Sequence, residues 1–200
     1  MNRKLVFATN NKHKLKEIKS MLNDIIQVVS LADIGCTDEL PETSASIRGN
    51  ALQKARYIFE KFGMDCFADD TGLEVEALGG RPGVYSARYA GNNASSADNV
   101  TKLLHEMKGI ENRKARFKTV IALITDHEEK SFEGIIDGVI ADKPVGENGF
   151  GYDPVFIPDG STIRFAEMSD EEKNKISHRK RALEKLVEHL KVADASGKSN

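Results

Sequence analysis

The sequence predicts an α/β protein built on a mixed β-sheet. Three observations carry that prediction. Short apolar or β-branched runs alternate with stretches of helical spacing, in an irregular order that does not suit a strictly parallel sheet. Two longer apolar segments, Phe117–Thr125 and Ser131–Ile140, flank the polar turn 126–130 and read as paired strands. The chain has 200 residues, 40% apolar and 30% charged, which is enough to bury a full core and is not the composition of a disordered chain. No internal repeat, low-complexity tract or flexible linker interrupts it.

Each element can be justified in order. Leu5–Ala8 is a short apolar strand ending in Thr-Asn-Asn. A helix follows to Leu22, with Leu15, Ile18, Met21 and Leu22 at helical spacing. Residues 25–31 are β-branched and predict a strand, and residues 32–44 an acidic loop. Ile47, Ala51, Ala55, Ile58 and Phe62 form one apolar helix face. Cys66–Ala68 predicts a short buried strand that runs into Asp69-Asp70-Thr71-Gly72, and residues 73–78 alternate in polarity. Residues 79–83 are a turn-rich loop. Ser95 opens a helix with Asp98 in the capping-box position. Residues 142–151 read as a Gly- and Pro-bearing loop, and residues 155–158 as a strand end. Ser169, with Glu172 three residues on, caps a last helix expected to run through about residue 190. We expect one domain over 1–192 and a frayed tail over 193–200.

Composition narrows the function. No run reaches about 18 apolar residues, so no membrane helix is expected. The opening MNRKLVFATNN meets Asn and Lys before a secretory apolar region could form. Cys36 and Cys66 lack metal or redox spacing and read as free thiols of a reducing cytoplasm. A net charge of −2 argues against a general nucleic-acid coat. Charge is nevertheless uneven. Residues 1–19 hold six Lys or Arg and one acid, residues 33–76 ten acids and four cations, and residues 171–191 seven Lys or Arg and four Glu. A metal–polyphosphate site would need carboxylates for the cation and cations for the phosphates, and these regions could supply both. Solvated helix faces are the plainer reading of the same pattern.

Four segments carry possible chemistry. Thr9-Asn10-Asn11-Lys12-His13-Lys14 lies at a strand-to-helix junction, where helix N–H groups and Lys14 favour an anion. It is not a GxxxxGK[ST] loop, and a plain N-cap before a basic surface helix is the alternative. In Asp69-Asp70-Thr71-Gly72, adjacent acids on an extended chain point to opposite sides, so one could hold Mg²⁺ and one polarise water. A turn would also explain them. Glu42 is a further possible metal ligand, or an exposed loop acid. In Gly149-Phe150-Gly151-Tyr152-Asp153-Pro154, glycines beside aromatics would let Phe150 stack on a purine, with Asp153 at the rim, unless the segment is a tight packed hairpin. Lys173 and Ser177 share a helix face, and His178 and Arg179 could donate to a keto oxygen, unless this is an ordinary basic helix. His13, His105, His127 and His189 show no metal or triad spacing and read as surface residues. No GxSxG is present.

Together these segments resemble the non-canonical purine nucleoside triphosphate pyrophosphatases, the inosine/xanthosine triphosphate pyrophosphatase family. The matching pieces are Thr9-x-Asn11-x-x-Lys14-x-x-Glu17, Glu42-Thr43, Asn50-Ala51-x-x-Lys54-Ala55, Ala68 through Leu73, Gly79-Gly80-x-Pro82-Gly83 through Tyr89, Gly149 through Pro154, and Lys173-x-x-x-Ser177-His178-Arg179. They stand in the family's order over residues 5 to about 190. The resemblance implies an elongated mixed sheet flanked by helices, two lobes with a central active-site cleft, and a homodimer, in the cytoplasm that the free thiols already suggest. It implies Mg²⁺-dependent hydrolysis of ITP, dITP and XTP to the monophosphate and pyrophosphate, which cleanses the nucleotide pool, with no nucleic-acid or membrane partner. By position, Thr9, Asn10, Asn11, Lys12, His13 and Lys14 would hold the phosphates. Asp70 would be general base and metal ligand, and Glu42 a second metal ligand. Thr71 would touch the substrate, where many members have Ser. Phe150, Gly151, Tyr152 and Asp153 would embrace the base, Lys173 would contact the nucleotide, and His178 and Arg179 would read the purine 6-keto group. Asn10 stands where many members have Gly.

Three rival readings are a Maf-like nucleotide pyrophosphatase, a non-catalytic nucleotide sensor and a single-strand nucleic-acid binder. His178-Arg179 and Phe150–Asp153 argue against the first, and the presence of Glu42, Asp69 and Asp70 against the second. Net charge −2 and 6% aromatic residues argue against the third.

Overall fold

A computed structural model describes residues 3–22 and 25–196. It is an α/β fold on a seven-stranded mixed sheet. Six strands follow the order β2-β1-β3-β5-β6-β7, and β4 pairs with β3. The strands are β1 (Lys4–Phe7), β2 (Gln27–Val29), β3 (Cys66–Val75), β4 (Pro82–Gly83), β5 (Lys114–Ile124), β6 (Glu129–Ile140) and β7 (Phe156–Pro158). The helices are α1 (Lys12–Leu22), α2 (Ile47–Phe62), α3 (Ser96–Glu106), α4 (Asp170–Ile176) and α5 (His178–Ser196). β1 runs parallel to β2 and β3, whereas β3–β4 and β6–β7 pair antiparallel, so the sheet is mixed as expected.

The chain divides into two compact units. The first comprises Met1–Asp70, Thr119–Gly134 and Arg179–Asn200; the second comprises Thr71–Lys118 and Ile135–His178. Each has its own core. In the first, Leu5 and Phe7 of β1 pack with Ile18 and Leu22 of α1, Phe67 of β3 and Leu186 of α5. The Phe7 and Phe67 rings stack at 4.7 Å. In the second, Leu73 and Val75 of β3 pack with Leu103 and Met107 from the α3 region and with Phe117, Phe156 and Phe165. Removing this apolar surface from water is what holds each unit together, at about 25 cal/mol per Å².

Local signals explain the helix starts. Ser46 accepts the Gly49 N–H at the head of α2, and the Ser95/Asp98 capping box forms at α3. The apolar stripe of α2 is buried at Ile47, Ala51, Ala55 and Ile58.

The structure departs from the sequence reading in several places. β2 is limited to Gln27–Val29, and residues 32–34 form a 3₁₀ turn within the acidic loop. Residues 66–75 form one ten-residue strand, with no break at the aspartates, because both carboxylates find partners alongside an extended chain. Only Glu76–Leu78 leaves it as a 3₁₀ turn. The single last helix is two. Ser177 adopts extended backbone angles (φ −65°, ψ 155°) between α4 and α5, and serine is a favoured residue immediately before a helix. α5 continues through Ser196, so residues 193–196 of the expected tail are helical, and 197–200 lie outside the described residues. No described helix is long and apolar enough to cross a membrane.

Candidate active site

In the first unit, the junction of β1 and α1 presents an ordered loop. Asn11 caps α1: its side-chain oxygen accepts the N–H groups of His13 at 2.9 Å and Lys14 at 3.1 Å. The Thr9 hydroxyl accepts the Asn11 N–H at 3.2 Å. Lys12 and His13 are exposed, while Lys14 turns inward and is buried. Asn10 faces the acidic loop, where its amide donates to the Asp38 carbonyl at 3.1 Å and accepts the Leu40 N–H at 3.3 Å.

The paired aspartates have separate partners. Asp69 is fully buried. Lys14 Nζ stands 3.1 Å from its Oδ1, and Arg179 Nε donates to Oδ2 at 3.2 Å. Burial pushes the Asp69 carboxyl up, but Lys14, Arg179 and Lys54 outweigh it and hold it well below the usual carboxylate range. Arg179 is 1% exposed and also pairs with Glu17 of α1. Asp70 faces α2. Asn50 Nδ2 donates to its Oδ2 at 3.2 Å, and Lys54 Nζ lies 4.0 Å from Oδ1. Lys54, 4% exposed, also pairs with Glu42. Burial lowers the Lys54 ammonium, but Asp70, Glu42 and Asp69 together raise it above its ordinary value. Three cations, Lys14, Lys54 and Arg179, are thus interleaved with four carboxylates, Glu17, Glu42, Asp69 and Asp70.

Asn50, Lys54 and Glu17 belong to the matched motifs, but the sequence alone assigns them no role. The available signal was polar side chains on otherwise apolar faces: Asn50 and Lys54 share the α2 stripe with Ala51 and Ala55. Glu17 lies one turn beyond Lys14.

The second unit gathers a different set. Asp153 is buried, not at a rim: its Oδ2 accepts from Lys173 Nζ at 2.7 Å and from the Phe150 N–H at 2.8 Å, which draws the carboxylate inward. Lys173 is buried as well, with its ammonium 4.9 Å from the Phe150 ring centre. Gly149 has φ +72°, and a Cβ there would stand 2.1 Å from Asp153 Oδ2, so this turn requires glycine. Gly151 also has a positive φ, +65°. The Tyr152 hydroxyl donates to the Ser86 carbonyl at 2.9 Å. His178 is buried and stacks on Phe117 at 4.7 Å. Thr71 is half-buried on β3. So Phe150, Asp153 and Lys173 are in direct contact, whereas Lys14 and Arg179 meet at Asp69 in the first unit.

Both cysteines are free and buried, and burial pushes the Cys66 thiol up to about 12, so it is inert as a nucleophile. His13, His105 and His127 are exposed as expected. His189 is half-buried, 2.5 Å from Glu128 Oε1.

Comparison with known proteins places these residues in a family. The model of the Ham1 family matches residues 5–189. A protein of Porphyromonas gingivalis named dITP/XTP pyrophosphatase is 53% identical over 191 residues, covering 95% of this chain and 98% of that protein. One of Bacillus subtilis with the same name is 46% identical over 191 residues, covering 94% and 96%. Among solved structures, the Ham1 protein of Staphylococcus aureus superposes with a TM-score of 0.87 at 38% identity, over 96% of this chain and 100% of that one. The nucleoside-triphosphatase, dITP/XTP pyrophosphatase, of Mycobacterium abscessus gives 0.75 at 45% identity, over 92% and 98%. A family match that takes in every residue of both clusters, with near full-length relatives at about half identity, leaves one assignment: the chain belongs to the Ham1 family.

Proposed function

We propose that this chain is a magnesium-dependent nucleoside triphosphate pyrophosphatase that converts ITP, dITP and XTP to the monophosphate and pyrophosphate. The observation that carries the reading is the interleaving of the buried Lys14, Lys54 and Arg179 with Glu17, Glu42, Asp69 and Asp70. Relatives named dITP/XTP pyrophosphatase support the substrate class.

The residues fit a magnesium ion. Among the described residues no group of three or more His, Cys, Asp or Glu could hold a metal. Magnesium, however, is usually held by one or two carboxylates with substrate phosphates completing the shell. Glu42 and Asp70 are such a pair, since both carboxylates already approach one cation, the Lys54 ammonium. When bound there, the ion supplies charge neutralisation at the phosphoryl oxygens.

The chain's own residues do the rest. Thr9, Asn10, Asn11, Lys12, His13 and Lys14, at the head of α1, receive the phosphates, where helix N–H groups and the Lys14 ammonium favour negative charge. Asp70 takes the proton of the attacking water at its carboxylate, whose Oδ2 is held by Asn50. Asp69 stays ionised and holds Lys14 and Arg179 in place. Thr71, Phe150, Gly151, Tyr152, Asp153, Lys173 and His178 serve the nucleoside. Lys173 and Asp153 fix the backbone next to Phe150, and the buried His178 supplies a donor for a keto oxygen. Such a donor loses its partner opposite the adenine amino group, which penalises ATP. Arg179, which follows His178 in sequence, orders the Asp69 and Glu17 carboxylates with its guanidinium and reads the 6-keto group with His178. The working form is a cytoplasmic homodimer.

The test is product analysis on ITP, dITP, XTP, dUTP, TTP and ATP, with and without Mg²⁺. The expected result is monophosphate and pyrophosphate from the first three, little turnover of ATP, and loss of activity in EDTA that Mg²⁺ restores. Diphosphate and orthophosphate as products, or equal turnover of ATP and ITP, would refute it.

A further inference from the structure

The loop after β4 has no part in the chemistry above, yet it is pinned from several sides within the second unit. The buried Asn99 of α3 spans it: Oδ1 accepts the Ala90 N–H at 2.7 Å and Nδ2 donates to the Ala87 carbonyl at 3.1 Å. Inside that frame Ser86, itself buried, makes three hydrogen bonds. Its hydroxyl donates to the Gly83 carbonyl at 2.6 Å and accepts the Leu73 N–H at 2.8 Å. Its carbonyl accepts from the Tyr152 hydroxyl at 2.9 Å. Leu73 stands two residues beyond Thr71 on β3, and Tyr152 stands inside Phe150–Asp153. One serine therefore ties both segments to which the nucleoside has been assigned.

The ties are of the kind that position. Buried neutral hydrogen bonds are costly to leave half-made, so each partner resists displacement. The turn that brings Gly83 under the hydroxyl needs glycine, with φ +57° and a Cβ that would sit 3.0 Å from the Gly80 carbonyl. Tyr152 is 4% exposed and packs in the core with Phe156 and Tyr89. Burial pushes its phenol above the ordinary value, so the hydroxyl stays a donor.

We propose that Ser86 is a positioning residue for base recognition: through Leu73 and Tyr152 it holds Thr71 and the Phe150–Asp153 segment in fixed register. This rests on the assignment of those segments to the nucleoside. It gives Tyr152 the part of an anchor through its hydroxyl.

The experiment compares Ser86→Ala and Tyr152→Phe with the wild type for KM and kcat on ITP and ATP, with melting curves. Tyr152→Phe keeps the ring in the core, so it decides the matter even if Ser86→Ala melts near the assay temperature. KM for ITP should rise about three- to tenfold in Tyr152→Phe, the scale of one lost neutral hydrogen bond, and at least as much in Ser86→Ala, which loses two, with a smaller fall in kcat. KM for ATP should move by less than about twofold, so the ITP-to-ATP preference falls. The double variant should be more affected than either single one, because Ser86→Ala removes the hydroxyl's bonds to Leu73 and Gly83 whereas Tyr152→Phe removes a separate bond to the Ser86 main-chain carbonyl. Equal loss of kcat on both nucleotides with KM unchanged would mean lost folded protein and would overturn the proposal. So would a preference for ITP that survives intact in both variants. A wild type without any preference for ITP would overturn the functional reading along with it.

Discussion

Adjacent aspartates with different partners should respond to the same chemical change in opposite ways. Asp69→Asn removes a charge that is fully buried between Lys14 at 3.1 Å and Arg179 at 3.2 Å. Breaking a buried ion pair by removing one partner costs about 3–5 kcal/mol, because the remaining charge is left uncompensated. At about 2–4 °C per kcal/mol for a domain of this size, the melting temperature should fall by about 6–20 °C. Asp70→Asn changes much less of the fold. Asn50 can still donate to an amide oxygen, and the Lys54 ammonium is 4.0 Å from Asp70 while Glu42 remains bonded to it. Its cost falls on the chemistry: removing a general base slows a reaction by about 10²–10⁴, and a weakened metal site adds to that. The assay is thermal melting of both variants together with single-turnover ITP hydrolysis at saturating Mg²⁺. The expected result is a destabilised but partly active Asp69→Asn and a stable, nearly inactive Asp70→Asn. If Asp70→Asn hydrolyses ITP near the wild-type rate while Asp69→Asn is folded and dead, the carboxylates have the reverse roles. If both are folded and active, the water is activated elsewhere.

Stability should also report Asp69 through pH. Its folded-state value lies below the ordinary 3.8, so its contribution is complete above that pH and is lost as pH falls below it. The wild-type melting temperature should drop on acidification from about pH 4 downward, with a shallower drop in Asp69→Asn, and parallel curves would contradict this. Lys173→Met should lower stability by about 3–5 kcal/mol, since it strands the buried Asp153 carboxylate, and calorimetry checks it. Glu42→Gln should raise the Mg²⁺ concentration needed for half-maximal turnover while ITP binding persists, as read by titration of Mg²⁺ and by nucleotide binding without turnover.

Local spacing carries local structure, and those parts of this protein are legible along the chain. The stripe of Ile47, Ala51, Ala55 and Ile58 fixes the buried face of α2, because a 3.6-residue period can be satisfied only one way. Ser95 with Asp98 starts α3 through hydrogen bonds that span three residues. The hairpin of β5 and β6 follows from two apolar runs around a polar turn, closed by the Thr125 N–H on the Glu128 carbonyl at 2.9 Å. The ordered motifs likewise carry, along the chain alone, the resemblance to one pyrophosphatase family.

Electrostatic partnership is not local, and only the fold decides it. A lysine or arginine in a charged stretch looks solvated until a carboxylate from a distant segment meets it. Arg179 meets Asp69 across 110 positions and Glu17 across 162, which turns an ordinary basic helix start into a buried link of the site. Lys54 and Asn50 sit on an apolar stripe because Asp70, on another element, supplies their partner. The same cause keeps β3 extended through Asp69 and Asp70, where the residues by themselves also allow a turn. A buried charge is tolerable only when paired. Periodicity along the chain can state which residues are placed inside, but the identity of the partner that permits a charge there is set by the three-dimensional path of the backbone.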